Sequence, residues 1–174
     1  SPNITFEDWS SGKKSDIDLV EDQLNGWLFD QATILSDHQH GGPAMLALVN
    51  PYFEAIACYL SGQSSRRKET EFLRKGLAAT LPSVETNAID RYINEVRHGQ
   101  AHEAVFRTVV IHKNCAGLPT FGISADDLLC VDPWWVLAQA RNHFVTYISD
   151  LRSGAKPDLQ ASFESFMKIR KEPR

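Results

Sequence analysis

Between Met45 and Leu60, apolar residues recur at three- and four-residue steps: Met45, Leu46, Val49, Phe53, Ile56, Ala57 and Leu60. That is the spacing of a helix. Apolar side chains cover most of its circumference, and a helix with so little polar surface must be covered by neighbours on several sides. The segment therefore predicts a central helix, and the rest of the chain must supply amphipathic helices to wrap it. Pro43 suits its first turn. Asn50-Pro51 predicts a kink or a break rather than one straight rod, because proline removes a helical hydrogen bond and crowds the preceding turn.

The wrapping helices are readable on both sides. Ile17, Val20, Leu24, Trp27, Leu28, Ile34 and Leu35 form one stripe, with Ser15 or Asp16 as its N-cap. It should fade at His38-Gln39-His40-Gly41-Gly42. A third helix is expected from Arg66 to Thr80, with Phe72, Leu73 and Leu77 inward and Arg66, Arg67, Lys68, Arg74 and Lys75 outward. A fourth carries Ile89, Ile93 and Val96. From Val105 to His112 the chain turns β-branched and aromatic, and residues 120–124 and 128–131 read as further short extended segments. Asp132 and Pro133 then open a last long helix. Its inner face is expected to hold Trp134 or Trp135, Leu137, Ala138, the stem of Arg141, Phe144, Val145, Ile148 and Leu151. A tail helix with Phe163 and Phe166 follows the break at Gly154–Pro157. The expected fold is mostly α: a helical bundle with a small β-hairpin or meander inserted before the last long core helix. Residues 1–15 read as an irregular lead-in, 16–157 as the helical domain and 158–174 as a helical tail.

At 174 residues the chain is long enough for one domain with a sizeable core. Its net charge of -4 means that any nucleic-acid site must be a local basic patch or be completed by a partner. The three cysteines, Cys58, Cys115 and Cys130, form no Cys-x-x-Cys pair, so reduced thiols are expected rather than a disulfide framework or a thiolate zinc site. No apolar run approaches the roughly 20 residues of a membrane span, no signal peptide opens the chain, and Ser1 reads as a processed or appended start. The expected location is the cytoplasm, with no membrane partner.

Several chemistries are disfavoured by what is missing. There is no P-loop, dinucleotide fingerprint, His-Glu-x-x-His or Gly-x-Ser-x-Gly. His38 and His40, with Asp30 and Asp37 nearby, offer a metal-dependent phosphoesterase reading, but an exposed polar helix end explains them more simply. No metal or other cofactor is expected. The basic residues Arg66, Arg67 and Lys68 form a phosphate-tracking candidate. The densest chemistry lies in Arg97-His98-Gly99-Gln100-Ala101-His102, where a guanidinium that grips phosphate and two imidazoles that move protons meet at a helix end. Arg91 to His98 and Arg107 to His112 have similar spacing, so spacing carries little by itself. What separates Arg97 is its context: an apolar helical stripe before it, a polar residue after it and small residues ahead of His102. On an unbroken α-helix, residues five apart lie about 140° apart. Arg97 and His102 then need either an unwound helix at Gly99 or a second chain to meet on one cleft.

The run Arg97-His98-Gly99-Gln100-Ala101-His102 resembles the hallmark of the HEPN superfamily of helical domains: an Arg, a polar residue, a short spacer and a His. The surrounding order is similar too: a hydrophobic helix, a short extended stretch, then Val131-Asp132-Pro133-Trp134-Trp135 opening a last long helix. The resemblance implies a homodimer whose motifs face each other, and a metal-independent endoribonuclease of toxin or defence type. His102 would be general acid and base, Arg97 the phosphate clamp and His98 a polar auxiliary. Some toxin relatives carry a Tyr two residues beyond the motif His, which a partner antitoxin modifies; Ala104 stands there in this chain. The resemblance is equally compatible with a non-catalytic dimerisation module that binds RNA or nucleotide, or assembles with a partner protein.

Overall fold

The computed structural model describes residues 1–99 and 108–171. Its helices are α1 (Phe6–Ser10), α2 (Asp16–Leu24), α3 (Asp30–Ser36), α4 (Gly42–Ser61), α5 (Glu69–Thr80), α6 (Thr86–Arg91), α7 (Pro133–Ser153) and α8 (Pro157–Lys171). Two π-helical segments extend them: Asn25–Phe29 joins α2 to α3, and Tyr92–His98 continues α6. Three short strands, β1 (Val109–Ile111), β2 (Phe121–Ile123) and β3 (Leu129–Val131), complete the fold. The architecture is mostly helical with one small sheet.

Helix α4 is the centre. It packs against α3, α5, α7 and α8, and its buried residues include Met45, Leu46, Val49, Tyr52, Phe53, Ile56 and Ala57. By length and hydropathy it reaches what a membrane span requires, contrary to the expectation from apolar runs, but most of it is buried inside the bundle. The break expected at Asn50-Pro51 does not occur; the helix runs through Pro51. Pro51 lies on the exposed side of the helix, where water can satisfy the carbonyl that its missing N–H leaves free. Asn50 beside it accepts a hydrogen bond from the buried Tyr92 hydroxyl at 2.6 Å.

Close approach of α5 to α4 depends on Gly76. A Cβ at that position would stand 1.6 Å from the Phe53 carbonyl oxygen. The backbones are therefore nearer than any side chain allows, and Phe53, Leu73 and Leu77 close around the contact.

The first long helix corrects the sequence reading. Ser15 is the N-cap and forms a reciprocal capping box with Asp18. Val20 is buried as expected, but Trp27 and Ile34 are 53% and 59% exposed. Phe29 and Ala32 are buried instead. The π-helical turn explains this: it accommodates an extra residue relative to the α repeat, so the inward stripe shifts after Leu24. The lead-in is also more ordered than expected. Thr5 caps α1 through its own capping box, and the Trp9 indole donates to Asp16 at 2.7 Å.

In the sheet, β2 and β3 pair antiparallel, as a hairpin would. But β1 pairs with β3 in parallel, giving the order β1-β3-β2 rather than a meander. Asp132 accepts from the backbone N–H groups of Trp134 and Trp135 at 2.9 and 3.1 Å, which caps α7 as expected. Within α7, Leu137, Phe144, Ile148 and Leu151 face the core, joined by Val136, Ala140 and Tyr147. Val145, expected inside, is 66% exposed, and Ala138 is exposed too. In α8, Phe163 and Met167 are buried in the same core, and Lys171 pairs with Asp16.

A polar pair crosses the core between α4 and α7. The Tyr52 hydroxyl lies 2.6 Å from His143 Nδ1. Burial pushes the Tyr52 phenol up and the His143 imidazole down, so both stay neutral. Donation from the phenol to Nδ1 satisfies the buried hydroxyl and leaves the imidazole proton on Nε2.

Gly76→Ala should cost about 1–3 kcal/mol in urea denaturation, because α5 must move off the Phe53 carbonyl; an unchanged midpoint would contradict the close approach. His143 binds a proton more readily unfolded than folded, so its contribution is fully present above its ordinary pKa of about 6.5 and is lost as pH falls below it. Unfolding free energy measured between pH 7.5 and pH 5 should therefore fall in the wild type and fall less steeply in His143→Gln.

Candidate nucleic-acid interface

Of the residues singled out for phosphate chemistry, Arg66, Arg67 and Lys68 stand just before α5, and Arg97 and His98 end the π-helical segment that follows α6. Helix α5 starts at Glu69 rather than at Arg66, so Arg66, Arg67 and Lys68 occupy the turn before it. The cause is local. Arg67 adopts a left-handed backbone with φ 66°, and its N–H donates to Glu69 Oε1 at 2.9 Å. That arrangement closes a turn instead of extending the helix. All three basic residues are exposed, and they stand at the positive end of the α5 dipole.

The opposite side of the interface is the end of the π-helical segment. Ile93 and Val96 are buried and anchor it, as the stripe predicted, with Tyr92 beside them. Arg97 and His98 are half-buried at its last turn. Gly99 keeps a helical backbone, φ -58° and ψ -47°, so the helix does not unwind there. Helix α5 packs against this segment, and Arg74 joins Asp90 of α6 at 2.6 Å.

Electrostatics connect the two sides. The Glu69 carboxyl is held below its ordinary value first by backbone N–H groups of Glu69 and Arg67, and further by the positive charge of Arg97. Arg97 is thus within electrostatic reach of the turn that carries Arg66, Arg67 and Lys68. None of these four cations forms an ion pair with another described residue. By contrast Arg74 is matched by Asp90 and Lys75 by Glu71. The basic face expected along α5 is therefore concentrated at its start. His102 lies outside the described residues, as do Glu103, Ala104 and Arg107.

A supporting network escaped the sequence reading. Arg91 pairs with Glu95 at 2.9 Å and with Asp127 at 2.8 Å, and also donates to the Asp127 carbonyl at 2.9 Å. Glu95 in turn accepts from the Thr108 hydroxyl. Glu95 thereby ties the π-helical segment to Thr108, just before β1. Its charge is directed at Arg91 and Thr108 rather than at Arg97. The i, i+4 spacing of Arg91 and Glu95 was a readable signal; the partners Thr108 and Asp127 had none. His143 has no sequence signal of its own beyond its place within the Ala140–Phe144 stretch; its role comes from the Tyr52 hydroxyl.

The remaining candidates have other surroundings. His112 bonds the Pro119 carbonyl through Nε2 at 2.9 Å and accepts the Cys115 N–H at Nδ1 at 3.3 Å, so both ring nitrogens serve the loop. His38 and His40 are exposed. Among the described residues no three His, Cys, Asp or Glu side chains converge as metal ligands. In comparisons with known proteins the chain matches no family model, no curated protein and no solved structure.

Proposed function

We propose that this chain is a HEPN-like domain that binds RNA at the face formed by the Arg66–Lys68 turn and Arg97, and cleaves it without metal. The observation that carries the proposal is the packing of α5 on the segment that ends in Arg97 and His98, with Arg66, Arg67 and Lys68 exposed at the start of α5. The overall charge is -4, so a local concentration of cations is what a polyanion requires of this chain.

The chemistry needs few parts. RNA carries its own nucleophile in the 2′-hydroxyl. An imidazole removes its proton, a general acid protonates the leaving 5′-oxygen, and a guanidinium stabilises the charge of the phosphorane. The 2′-oxygen–phosphorus bond forms as the phosphorus–5′-oxygen bond breaks, leaving a 2′,3′-cyclic phosphate and a 5′-hydroxyl. In this reading Arg97 is the clamp, His102 supplies the proton transfers and His98 is a polar auxiliary. One His102 does not readily serve as acid and base in the same step, so the proposal includes a second copy of the chain facing the first.

Purified protein in EDTA should cleave RNA to cyclic-phosphate ends, and Arg97→Ala and His102→Ala should each slow cleavage by about 100-fold or more. An inert wild type, or one no faster than both variants, removes the catalytic reading. RNA binding with a dimer on gel filtration but no turnover instead identifies a binding module. The phosphate-tracking role is tested separately. Arg67→Gln should weaken binding of single-stranded RNA and reduce the slope of log K against log salt by about 0.7. An unchanged slope would place Arg67 outside the RNA path.

A further inference from the structure

A second feature lies among the N-terminal segment, α2 and α8, and none of its residues belongs to the α5 turn or to the π-helical segment before Gly99. A cavity of about 260 Å³ opens there. Ile4, Leu19 and Met167 give it an apolar lining, and Phe6 and Trp9 stand at it edge to face with ring centroids 5.9 Å apart. Phe6 is 77% exposed, an unusual position for a large aromatic side chain on a helix whose other residues are mostly polar. Arg170 reaches the same cavity.

The charge of Arg170 distinguishes it from its neighbours. Arg152 meets Asp18 and Glu21, and Lys171 meets Asp16 while lying 5.1 Å over the Trp9 ring. Arg170 instead donates to two neutral oxygens, the Tyr59 hydroxyl and Gln23 Oε1, both at 3.3 Å. These are long bonds for a guanidinium. They aim the group without matching its charge, and no carboxylate among the described residues pairs with it. Apolar and aromatic walls on one side, polar Thr5 and Gln23 on the other, and a guanidinium without a carboxylate partner beside the paired Lys171 suit an apolar body carrying a single negative charge. The nearby carboxylates of Asp16 and Asp22 disfavour a phosphate dianion, since each would repel it.

We propose that this cavity binds a small monocarboxylate with an aromatic or short aliphatic body, its carboxylate on Arg170 and its apolar part between Phe6, Trp9 and Met167. The site is independent of the RNA reading, because its test involves neither cleavage nor nucleic acid.

The test is isothermal titration calorimetry of the full chain with phenylacetate, indole-3-acetate, hexanoate and the neutral phenylacetamide. One saturable site is expected, at least tenfold tighter for the best carboxylate than for the amide. The ranking of aryl against alkyl acids identifies the body that the cavity takes. Arg170→Gln should abolish the preference for acid over amide. Phe6→Ala, at a side chain too exposed to matter for folding, should weaken acid and amide alike. Absence of saturable binding by all three acids at millimolar concentration overturns the proposal. So does acid binding that Arg170→Gln leaves unchanged, or an amide that binds as tightly as its acid.

Discussion

The contact of α5 with the Phe53 carbonyl, made possible by Gly76, is the constraint on which the rest of this fold depends. An all-round apolar helix needs cover on every side, and most cover comes from side chains meeting at ordinary interhelical distance. Here one neighbour rests on the backbone itself. Holding α5 so close sets where its first turn lies, and with it the turn of Arg66, Arg67 and Lys68. Packing of α5 on α6 and on the π-helical segment that ends at His98 then carries the placement onward. A packing decision in the core thus determines which charges meet at the surface.

Much of the helical order could be read from the sequence because it rests on periodicity. The stripes of α5, α6, most of α7 and of α4 up to Ala57 are buried as their spacing requires, while Leu60 near the end of α4 is exposed, and the Ser15 and Asp132 caps follow from local hydrogen bonding. The differences in the first long helix have one cause, a change of helical repeat within the segment. A repeat of 3.6 residues per turn carried across Asn25–Phe29 places Trp27 and Ile34 inward, but the winding there is looser and both are exposed. A π-helical turn has no simple compositional mark. The Pro51 misreading is of another kind. Proline weakens a helix, but α4 is held from several sides, and packing outweighs one missing hydrogen bond. The parallel β1–β3 pairing was unreadable because three-residue strands carry too few side chains to specify a partner.

For the candidate interface, the residue types were visible and their grouping was not. Arg66, Arg67 and Lys68 are adjacent in sequence, but their separation from the α5 face depends on the Arg67 backbone and the Glu69 side chain. Arg97 reaches that turn only through the packing of two helices. The Arg91–Asp127 pair spans 36 positions, beyond any local rule.

The distribution of charge gives these observations a common meaning. An acidic chain has carboxylates to spare, and half of its described lysines and arginines have one: Lys13, Arg74, Lys75, Arg91, Arg141, Arg152, Lys156 and Lys171 are all paired. Surface pairs of this kind contribute little stability each. Their consequence is spatial, because they cancel positive potential wherever they form. What remains unmatched is then informative in a way that a basic residue on a basic protein is not. Two such places are Arg170, beside an apolar cavity, and the Arg66–Lys68 turn with Arg97. The first pairs a single cation with aromatic walls and suits a small anion with an apolar body. The second gathers several cations at an exposed turn and the helix end beside it, an arrangement suited to an extended polyanion. The same acidic background that argues against general nucleic-acid affinity thereby sharpens the contrast that a local site needs.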